Sequence, residues 1–512
     1  MRSVSFDVFE TVIQRSVWPP AAVYTCVGIE LQKAGLLYCQ PSEFAKIREK
    51  AESEAFDKYG PFYNLERIYS FLPDSVLNAK NESNLFCSFE AEVELRLANP
   101  VPEVIKLIKK HRNILHNISF VSDTYHDEST IKRLLEKVGA YHIGDKIFVS
   151  NTFGVFKRKG RLFNKLSSGL NESKIDCHYG NSWDADVLGA SAAGIKSRWI
   201  KSGNATFLES AQESFGKDKN LAALLLGAQR LIRNKAEDQG NLSPLKIELA
   251  TGLLAPLNIA LLMWVLAKAK SKDTKKLYLL SRDGWIMWQM AQAISSDWFE
   301  GIEIKYLYTS RQALSKKQSQ AQHEYLKQEG VFSSDSMCLV DVGWRGSLHE
   351  RFCQLQNNER LAPIFGYFLG LDDCDEFSFA NFRESMLKPC DFPDSIRRRI
   401  DSNIKFLVES MFCAPHGSVS DFHTPQNKPE PIFDHFSNDK MQQYGYGEMT
   451  SLAIEVFNLF ASGCRVSNAT LDADFWADYV KNLLKHCCYS APHDIASEIG
   501  DLPIELDNKP GH

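Results

Sequence analysis

The sequence predicts an α/β protein built from two parallel-sheet modules. Short β-branched segments alternate with helical segments over residues 118–200, and the same alternation returns over residues 276–371. A block with helical spacing, residues 21–110, separates the first strand-like segment from the others. Alternation of strands and helices is typical of a parallel sheet covered on both faces. We therefore expect one sheet with a helical insertion after its first strand, followed by a second sheet of the same kind.

Length and composition are those of a globular chain with several domains. At roughly 150 residues per domain, the 512 residues predict about three folding units. A hydrophobic share of 44% excludes a disordered chain. The 59 basic and 64 acidic residues give a net charge of −5 without a long Lys/Arg block. This pattern argues against nucleic acid as a partner.

The cysteines and the N-terminal segment favour a cytoplasmic location. The twelve cysteines contain no Cys-x-x-Cys pair, which fits a reducing compartment. Asp7 and Glu10 interrupt the apolar run that a signal peptide would need. We therefore expect a cytoplasmic protein.

The first module is predicted to consist of a core and an inserted helical block. Residues 3–13 are β-branched and apolar around Asp7, which indicates a buried strand running into a loop. We expect residues 1–20 and 111–203 to form a Rossmann-like core, and residues 21–110 to form the insertion. The further strands of this core are predicted at 118–123, 146–150, 177–180 and 197–200.

A second α/β domain is predicted over residues 241–512, after a helical connection at 204–240. Its most apolar stretch, 253–267, is shorter than the roughly 20 residues that span a bilayer, and it contains Pro256 and Asn258. We therefore expect a buried core helix and no transmembrane segment, with peripheral membrane association left open. The strands of this domain are predicted at 276–281, 304–310, 338–343 and 366–371.

Polar side chains follow four strands of the first module. An isolated carboxylate at the end of a buried strand, such as Asp7, is costly unless a site needs its charge. Ligands of open α/β sheets bind outside the carboxyl ends of the strands. A carboxylate, a hydroxyl, an ammonium group and hard oxygen ligands are the parts that phosphoryl displacement uses. The other polar residues at these strand ends are Ser122, Asp123, Lys157, Lys159, Asn181, Asp184 and Asp186.

Four segments over residues 1–200 resemble the motifs of the haloacid dehalogenase (HAD) superfamily. In order, they are FDVFETVI, FVSD, FKRKGRLF and YGNSWDADVLGASAAGI. The resemblance implies that Asp7 is a nucleophile, Ser122 a phosphate-binding hydroxyl and Lys157 a charge-neutralising lysine. It also implies Mg²⁺ held by Asp7, Asn181 and Asp186. The helical insertion resembles the cap of this family, which closes over the site and selects the substrate.

Two positions depart from the phosphatase pattern. The second Asp of the family, a general acid/base, is replaced by Phe9, so that Glu10 becomes the candidate acid one residue later. An aromatic residue there resembles the dehalogenase branch. Asn181 stands where a carboxylate is usual, and the lost charge should weaken Mg²⁺ binding. Asp184 could compensate.

In the second module, too, polar loops directly follow the predicted apolar strands. Because these loops follow apolar strands, we expect them to meet in one crevice, with arginines that clamp an anion such as phosphate. Ordinary turns with Arg–Asp pairs are the alternative. Glu409 and His416 are further candidates. The predicted binding residues are Arg282, Asp283, Arg311, Asp341, Arg345 and Ser347.

The whole chain, with SRDG and VDVGWRGS after the HAD-like region, resembles predicted HAD hydrolases encoded among bacterial surface-polysaccharide genes. That resemblance implies a phosphatase acting on a phosphorylated sugar or glycan precursor through an aspartyl-phosphate at Asp7. One alternative is a weakly catalytic HAD domain that binds phosphorylated ligands, with group transfer in the second domain. The other is hydrolysis of a carbon–halogen bond.

Overall fold

The computed structural model divides into two compact units. Unit 1 comprises Met1–Asn241 and Ser462–Ala469, and unit 2 comprises Leu242–Ala461 and Thr470–His512. The residues that the structure describes are 2–78, 83–169, 175–201, 203–218, 220–293, 301–315, 319–333, 335–356, 363–371, 382–388, 405–435, 438–467 and 471–502.

Unit 1 is built on a five-stranded parallel sheet in the order β5-β4-β1-β6-β7. The first strand therefore lies in the centre, and the chain reverses direction across the sheet between β1 and β6. This is the α/β architecture that the sequence predicts. The strands are β1 Ser3–Phe6, β4 Asn117–Ser122, β5 Lys146–Val149, β6 Ile175–Gly180 and β7 Lys196–Trp199.

The helical insertion begins and ends at a two-stranded antiparallel stem, β2 (Ile13–Arg15) and β3 (Ala98–Pro100). The insertion therefore ends at β3, near residue 98, and not at residue 110 as predicted. The helix α5 (Pro102–Asn113) buries Val104 and Ile108 in the same apolar cluster as the central strand, so it belongs to the core. The helices of the insertion are α1 Ala22–Lys33, α2 Pro41–Tyr59, α3 Leu65–Tyr69 and α4 Ser83–Leu97.

The segment predicted as a connection, 204–240, is part of unit 1. Its long helix α12 (Asn220–Gln239) is buried along most of its length, and Arg230 and Arg233 pair with carboxylates of this unit. The remaining helices of unit 1 are α6 Glu128–Lys137, α7 Ser150–Phe153, α8 Arg161–Gly169, α9 Gly189–Ala192, α10 Phe207–Ser210 and α11 Glu213–Asp218.

Unit 2 contains a second five-stranded parallel sheet, in the order β12-β11-β10-β8-β9. Four of its strands lie at the predicted places, and β12 was not predicted. The strands are β8 Lys276–Leu280, β9 Glu303–Leu307, β10 Met337–Asp341, β11 Ile364–Gly370 and β12 Arg383–Leu387, with a separate antiparallel pair β13 Val419–His423 and β14 Glu430–Phe433.

The apolar stretch of unit 2 lies in a helical run of 28 residues, Pro244–Ser271, in which α13 (Pro244–Leu249) and α14 (Ala255–Ser271) join through a π-helical turn. This run is the one in the described residues that is long and apolar enough to cross a membrane, so the sequence argument from short length was wrong. Its apolar window is entirely buried within the protein, as expected for a core helix. The remaining helices are α15 Trp285–Gln292, α16 Arg311–Ser315, α17 Gln320–Gln328, α18 Ser347–Gln356, α19 Lys405–Ser410, α20 Asn438–Tyr444, α21 Tyr446–Ser467, α22 Ala473–Ser490 and α23 His493–Gly500.

Candidate active site

Asp7 lies directly after the central strand β1 and is nearly buried, with 5% of its surface exposed. Its backbone N–H donates to the carbonyl oxygen of Tyr179, which extends the pairing of β1 with β6 by one residue. The Thr11 hydroxyl donates to Asp7 Oδ2 at 2.9 Å, and the Lys157 ammonium donates to Asp7 Oδ1 at 2.6 Å. Both oxygens of the carboxylate are therefore held in place.

Lys157 joins Asp7 to a second carboxylate. Its Nζ lies 2.5 Å from Asp186 Oδ1 and is 4% exposed at the side chain. Asp186 Oδ2 accepts the backbone N–H of Ser182 at 2.9 Å. A β-carbon on Gly180 would meet Asp186 Cγ at 2.3 Å, so only glycine lets the carboxylate approach this strand end. The result is a buried carboxylate–ammonium–carboxylate array.

The protonation of this array follows from its burial and its charges. Burial raises the pKa of Asp7 to about 7, although Lys157 acts in the opposite direction. Burial would also raise the pKa of Asp186, but Lys157 and His178 overcome it and hold that pKa below the usual range. The two carboxylates hold the pKa of Lys157 above its ordinary value despite burial. Lys157 and Asp186 are therefore both charged at neutral pH.

A buried histidine, His178, contacts the Asp186 end of this array. His178 Nε2 lies 3.2 Å from Asp186 Oδ1, and His178 Nδ1 lies 2.9 Å from the Ser5 hydroxyl. Burial lowers the pKa of His178, which favours the neutral ring. Neither Thr11, His178 nor Ser5 was singled out from the sequence. Thr11 had a signal, since it lies inside the FDVFETVI motif that contains Asp7.

The structure brings other predicted residues to the same sheet edge. Ser122 is the last residue of β4, the neighbour of β1, and is buried. Asp123 follows it and accepts the Lys157 backbone N–H through both carboxylate oxygens, at 3.0 and 3.1 Å. Asn181 follows β6, and its Oδ1 lies 3.2 Å from the Thr11 hydroxyl, which also accepts the Asn181 backbone N–H.

Two residues left open by the sequence lie outside this array. Lys159 is exposed, whereas Lys157 is buried, so the structure places Lys157 at the site. Asp184 has a side chain that is 53% exposed and pairs with Arg158 at 2.5 Å.

Glu10 is held by two arginines. Its carboxylate lies 3.3 Å from Arg15 Nη1 and 3.0 Å from Arg230 Nη2, and the residue is 6% exposed. Arg15 also forms a bidentate pair with Glu94 of the insertion and lies over the Phe9 ring at 4.4 Å. This arrangement favours a structural role for Glu10 over the predicted role of general acid.

Side chains of the insertion lie against the core next to the site. The Phe56 ring stacks on Phe156 at 5.7 Å between centroids, and Tyr63 packs edge-on against Tyr125 at 6.0 Å. Burial and the neighbouring Glu52 and Asp123 carboxylates raise the pKa of Tyr63. Tyr63 contacts Tyr125, which lies close in sequence to Asp123 at the Asp7 edge.

The residues at this edge fit a magnesium ion in kind. Asp7 and Asp186 supply carboxylate oxygens, and Asn181 supplies an amide oxygen. Lys157 contacts both carboxylates, and the Thr11 hydroxyl contacts Asp7 and Asn181. Hard oxygen ligands of this type are those that magnesium prefers. Among the described residues no three His, Cys, Asp or Glu side chains are grouped to hold a metal, so this set depends on the Asn181 amide.

In unit 2 the predicted residues also gather at strand ends. Asp341 is the last residue of β10, Asp283 lies in the turn after β8, and Arg311 begins α16 after β9. Arg345 is exposed, and Ser347 is the first residue of α18.

Comparison with known proteins yields structural neighbours only. No protein-family model and no curated protein matches the sequence. YfnB of Bacillus subtilis, a candidate HAD hydrolase whose structure holds magnesium, is 16% identical, with a TM-score of 0.30 over 39% of this chain and 89% of its own. A 2-haloacid dehalogenase of Pseudomonas syringae is 18% identical, with a TM-score of 0.30 over 40% and 89%. A HAD phosphatase of Thermococcus onnurineus is 16% identical, with a TM-score of 0.29 over 40% of this chain and 89% of its own. TM-scores this low describe a partial likeness.

Proposed function

We propose that unit 1 is a HAD-type hydrolase that uses Asp7 as a nucleophile, with a phosphorylated sugar or glycan precursor as substrate. The observation that carries the proposal is the Lys157 ammonium, which lies 2.6 Å from Asp7 and 2.5 Å from Asp186 at the carboxyl edge of the sheet. A carboxylate fixed beside a cation suits covalent attack, because the cation stabilises charge that develops on the transferred group. The substrate class rests on the family resemblance of the sequence.

The proposed reaction has two displacements. Asp7 attacks phosphorus, the bond from phosphorus to the substrate oxygen breaks, and that oxygen leaves and takes a proton. Water then attacks phosphorus, the bond to Asp7 breaks, and phosphate and the free carboxylate are formed. Thr11 and Lys157 orient the two oxygens of Asp7 during both steps. Bound magnesium, held by Asp7, Asn181 and Asp186, would supply further charge for the phosphoryl group.

Carbon–halogen hydrolysis is the second candidate, and Phe9 favours it. The ring at that position lies against Arg15 and His126, and Glu10 beside it is held by two arginines. A halide leaves without protonation, whereas an alkoxide is helped by a general acid. Asp7 would attack the halogen-bearing carbon, the carbon–halogen bond would break and the halide would leave, and water would then hydrolyse the resulting Asp7 alkyl ester at its carboxyl carbon.

A substrate panel separates these reactions. The full chain is assayed with phosphorylated sugars, p-nitrophenyl phosphate and 2-haloacids, each with magnesium and with a chelator. The phosphatase proposal expects phosphate release that needs magnesium. Halide release that persists with the chelator would replace it with the dehalogenase reaction. Binding of phosphorylated ligands without turnover of any substrate would favour the non-catalytic alternative.

A further inference from the structure

The helices α1 to α4 of the insertion are joined around one buried cation. Arg48, in α2, has a side chain that is fully buried. Its guanidinium donates to the two carboxylate oxygens of Glu90 at 2.6 and 3.0 Å and to Glu52 at 3.2 Å. The Tyr69 hydroxyl donates to Glu90 at 2.9 Å, and the Tyr24 hydroxyl donates to Glu52. Because Tyr24 lies in α1, Tyr69 in α3 and Glu90 in α4, this network ties all four helices together.

An aromatic ring of the core packs on the same cation. The guanidinium carbon of Arg48 lies 4.5 Å from the ring centroid of Tyr24 and 5.7 Å from that of Tyr69, both in the insertion. It lies 5.1 Å from the ring centroid of Tyr125, which belongs to the core loop after β4. The Tyr125 ring also packs edge-on against Tyr63 of the insertion at 6.0 Å. A guanidinium over an aromatic face is held more strongly where water is excluded, so Tyr125 links the insertion to the core.

The loop that carries Tyr125 also carries groups of the candidate active site. Ser122 closes β4, and Asp123 accepts the Lys157 backbone N–H through both carboxylate oxygens, at 3.0 and 3.1 Å. The Lys157 ammonium in turn lies 2.6 Å from Asp7 Oδ1. Since one residue separates Asp123 from Tyr125, a continuous series of contacts runs from the insertion to the Asp7 carboxylate.

The backbone on both sides of Tyr125 is fixed by hydrogen bonds. The Thr124 N–H donates to the Ser150 hydroxyl at 3.1 Å, and the His126 N–H donates to the Thr124 hydroxyl at 3.1 Å. His126 Nε2 lies 3.7 Å from Glu94 Oε1 of α4, which gives this loop a second, longer contact with the insertion. The Tyr125 ring therefore extends from a well-held loop onto the insertion.

We infer that Tyr125 is a positioning residue, through which the insertion aligns Lys157 beside Asp7. The contact with Arg48 holds the loop in the arrangement in which Asp123 faces the Lys157 backbone N–H. Without the ring the loop gains freedom, and a misplacement of about 1 Å costs about 10²-fold in rate. All of these groups lie in unit 1. The effect on rate rests on the proposed function, whereas the link between the insertion and the loop does not.

Three variants of the full chain test this inference. Tyr125→Leu removes the ring that packs on Arg48, and Tyr125→Phe keeps it. Tyr38→Leu is the matched control, because it makes the same change at a tyrosine of the insertion that is 66% exposed. Arg48 itself is left in place, since its loss would leave the buried Glu90 carboxylate without its cation.

Hydrogen–deuterium exchange by mass spectrometry is the first measurement, and it needs no turnover. Peptides that contain Lys157 are expected to exchange about fivefold faster or more in Tyr125→Leu, because the loop that holds the Lys157 N–H opens more often. Peptides that contain β1 should keep their rates, since a general loss of stability would speed exchange there too. Tyr125→Phe and Tyr38→Leu should match the unsubstituted protein throughout.

The second measurement is the kinetics of p-nitrophenyl phosphate hydrolysis with magnesium. In Tyr125→Leu, kcat should fall by about tenfold or more while KM stays within about threefold, and Tyr125→Phe should retain kcat. The inference is overturned by equal exchange at Lys157 in the Leu and Phe variants, by equally faster exchange in β1, or by an unchanged kcat in Tyr125→Leu. Absence of turnover from the unsubstituted protein would contradict the proposed function alone, and the exchange rates would then decide the role of Tyr125.

Discussion

Replacing Lys157 with methionine tests the charge array on which the proposed chemistry depends. Methionine keeps much of the side-chain length but removes the cation that separates Asp7 from Asp186, leaving two buried carboxylates facing each other. Removing one partner of a buried ion pair costs about 3–5 kcal/mol. For a domain of 150–250 residues, each kcal/mol lowers the melting temperature by roughly 2–4 °C. We therefore expect the transition of unit 1 to fall by roughly 6–20 °C.

Differential scanning calorimetry in chelating buffer is the measurement, since a bound cation could replace the lost charge. Lys159→Met is the matched control, because it makes the same change at an exposed neighbour and should leave the transition within about 2 °C. Equal transitions for both variants would refute the account of the array. The Lys157 variant should also lose hydrolysis, because the ammonium group that stabilises the developing charge is then missing.

Three further outcomes are expected. Glu10→Gln should lower the free energy of unfolding in urea by about 1–3 kcal/mol, because it removes a buried partner of two arginines, and it should leave turnover unchanged. Lost turnover at unchanged stability would make Glu10 catalytic. Replacing residues 22–96 by a short linker between β2 and β3 should leave a core that is folded by circular dichroism and that accepts a broader range of substrates in activity assays. Extending the deletion to residue 110 should abolish folding, because α5 packs in the core. Equal behaviour of the two deletions would contradict this boundary. Because folding raises the pKa of Asp283 from 3.8 to about 8, its contribution to stability is present below about pH 4 and is lost as the pH rises towards 8. Asp283→Asn should therefore flatten the decline of the melting temperature between these pH values in calorimetry. An unchanged slope would contradict this expectation.

The parallel character of the two sheets and most strand positions could be predicted because they depend on local patterns, whereas the strand order could not. Strands such as β4 and β8 are short apolar runs followed by helical spacing, and that alternation defines a parallel sheet. The end of the insertion could not be placed, because α5 has the same amphipathic spacing as the helices before it. Which surface a helix buries against is a tertiary property.

The candidate site was predictable only in part. Asp7, Lys157 and Asp186 stand out as charged residues beside buried strands, and they come together in the structure. Glu10 could not be assigned from sequence, because its partner Arg230 lies 220 positions away. His178 lies within β6 and carries no pattern that separates it from a core residue. Long-range pairing decides the role of such groups.

The most direct measurement of the central claim is p-nitrophenyl phosphate hydrolysis by the full chain and by Asp7→Asn, with magnesium present. The account predicts turnover in the unsubstituted protein and none in the variant, at an unchanged circular dichroism spectrum, because a neutral amide cannot act as the nucleophile. Turnover in Asp7→Asn above a few per cent of the unsubstituted rate would contradict the role of Asp7. Absence of phosphate release from both proteins would contradict the phosphatase reaction itself.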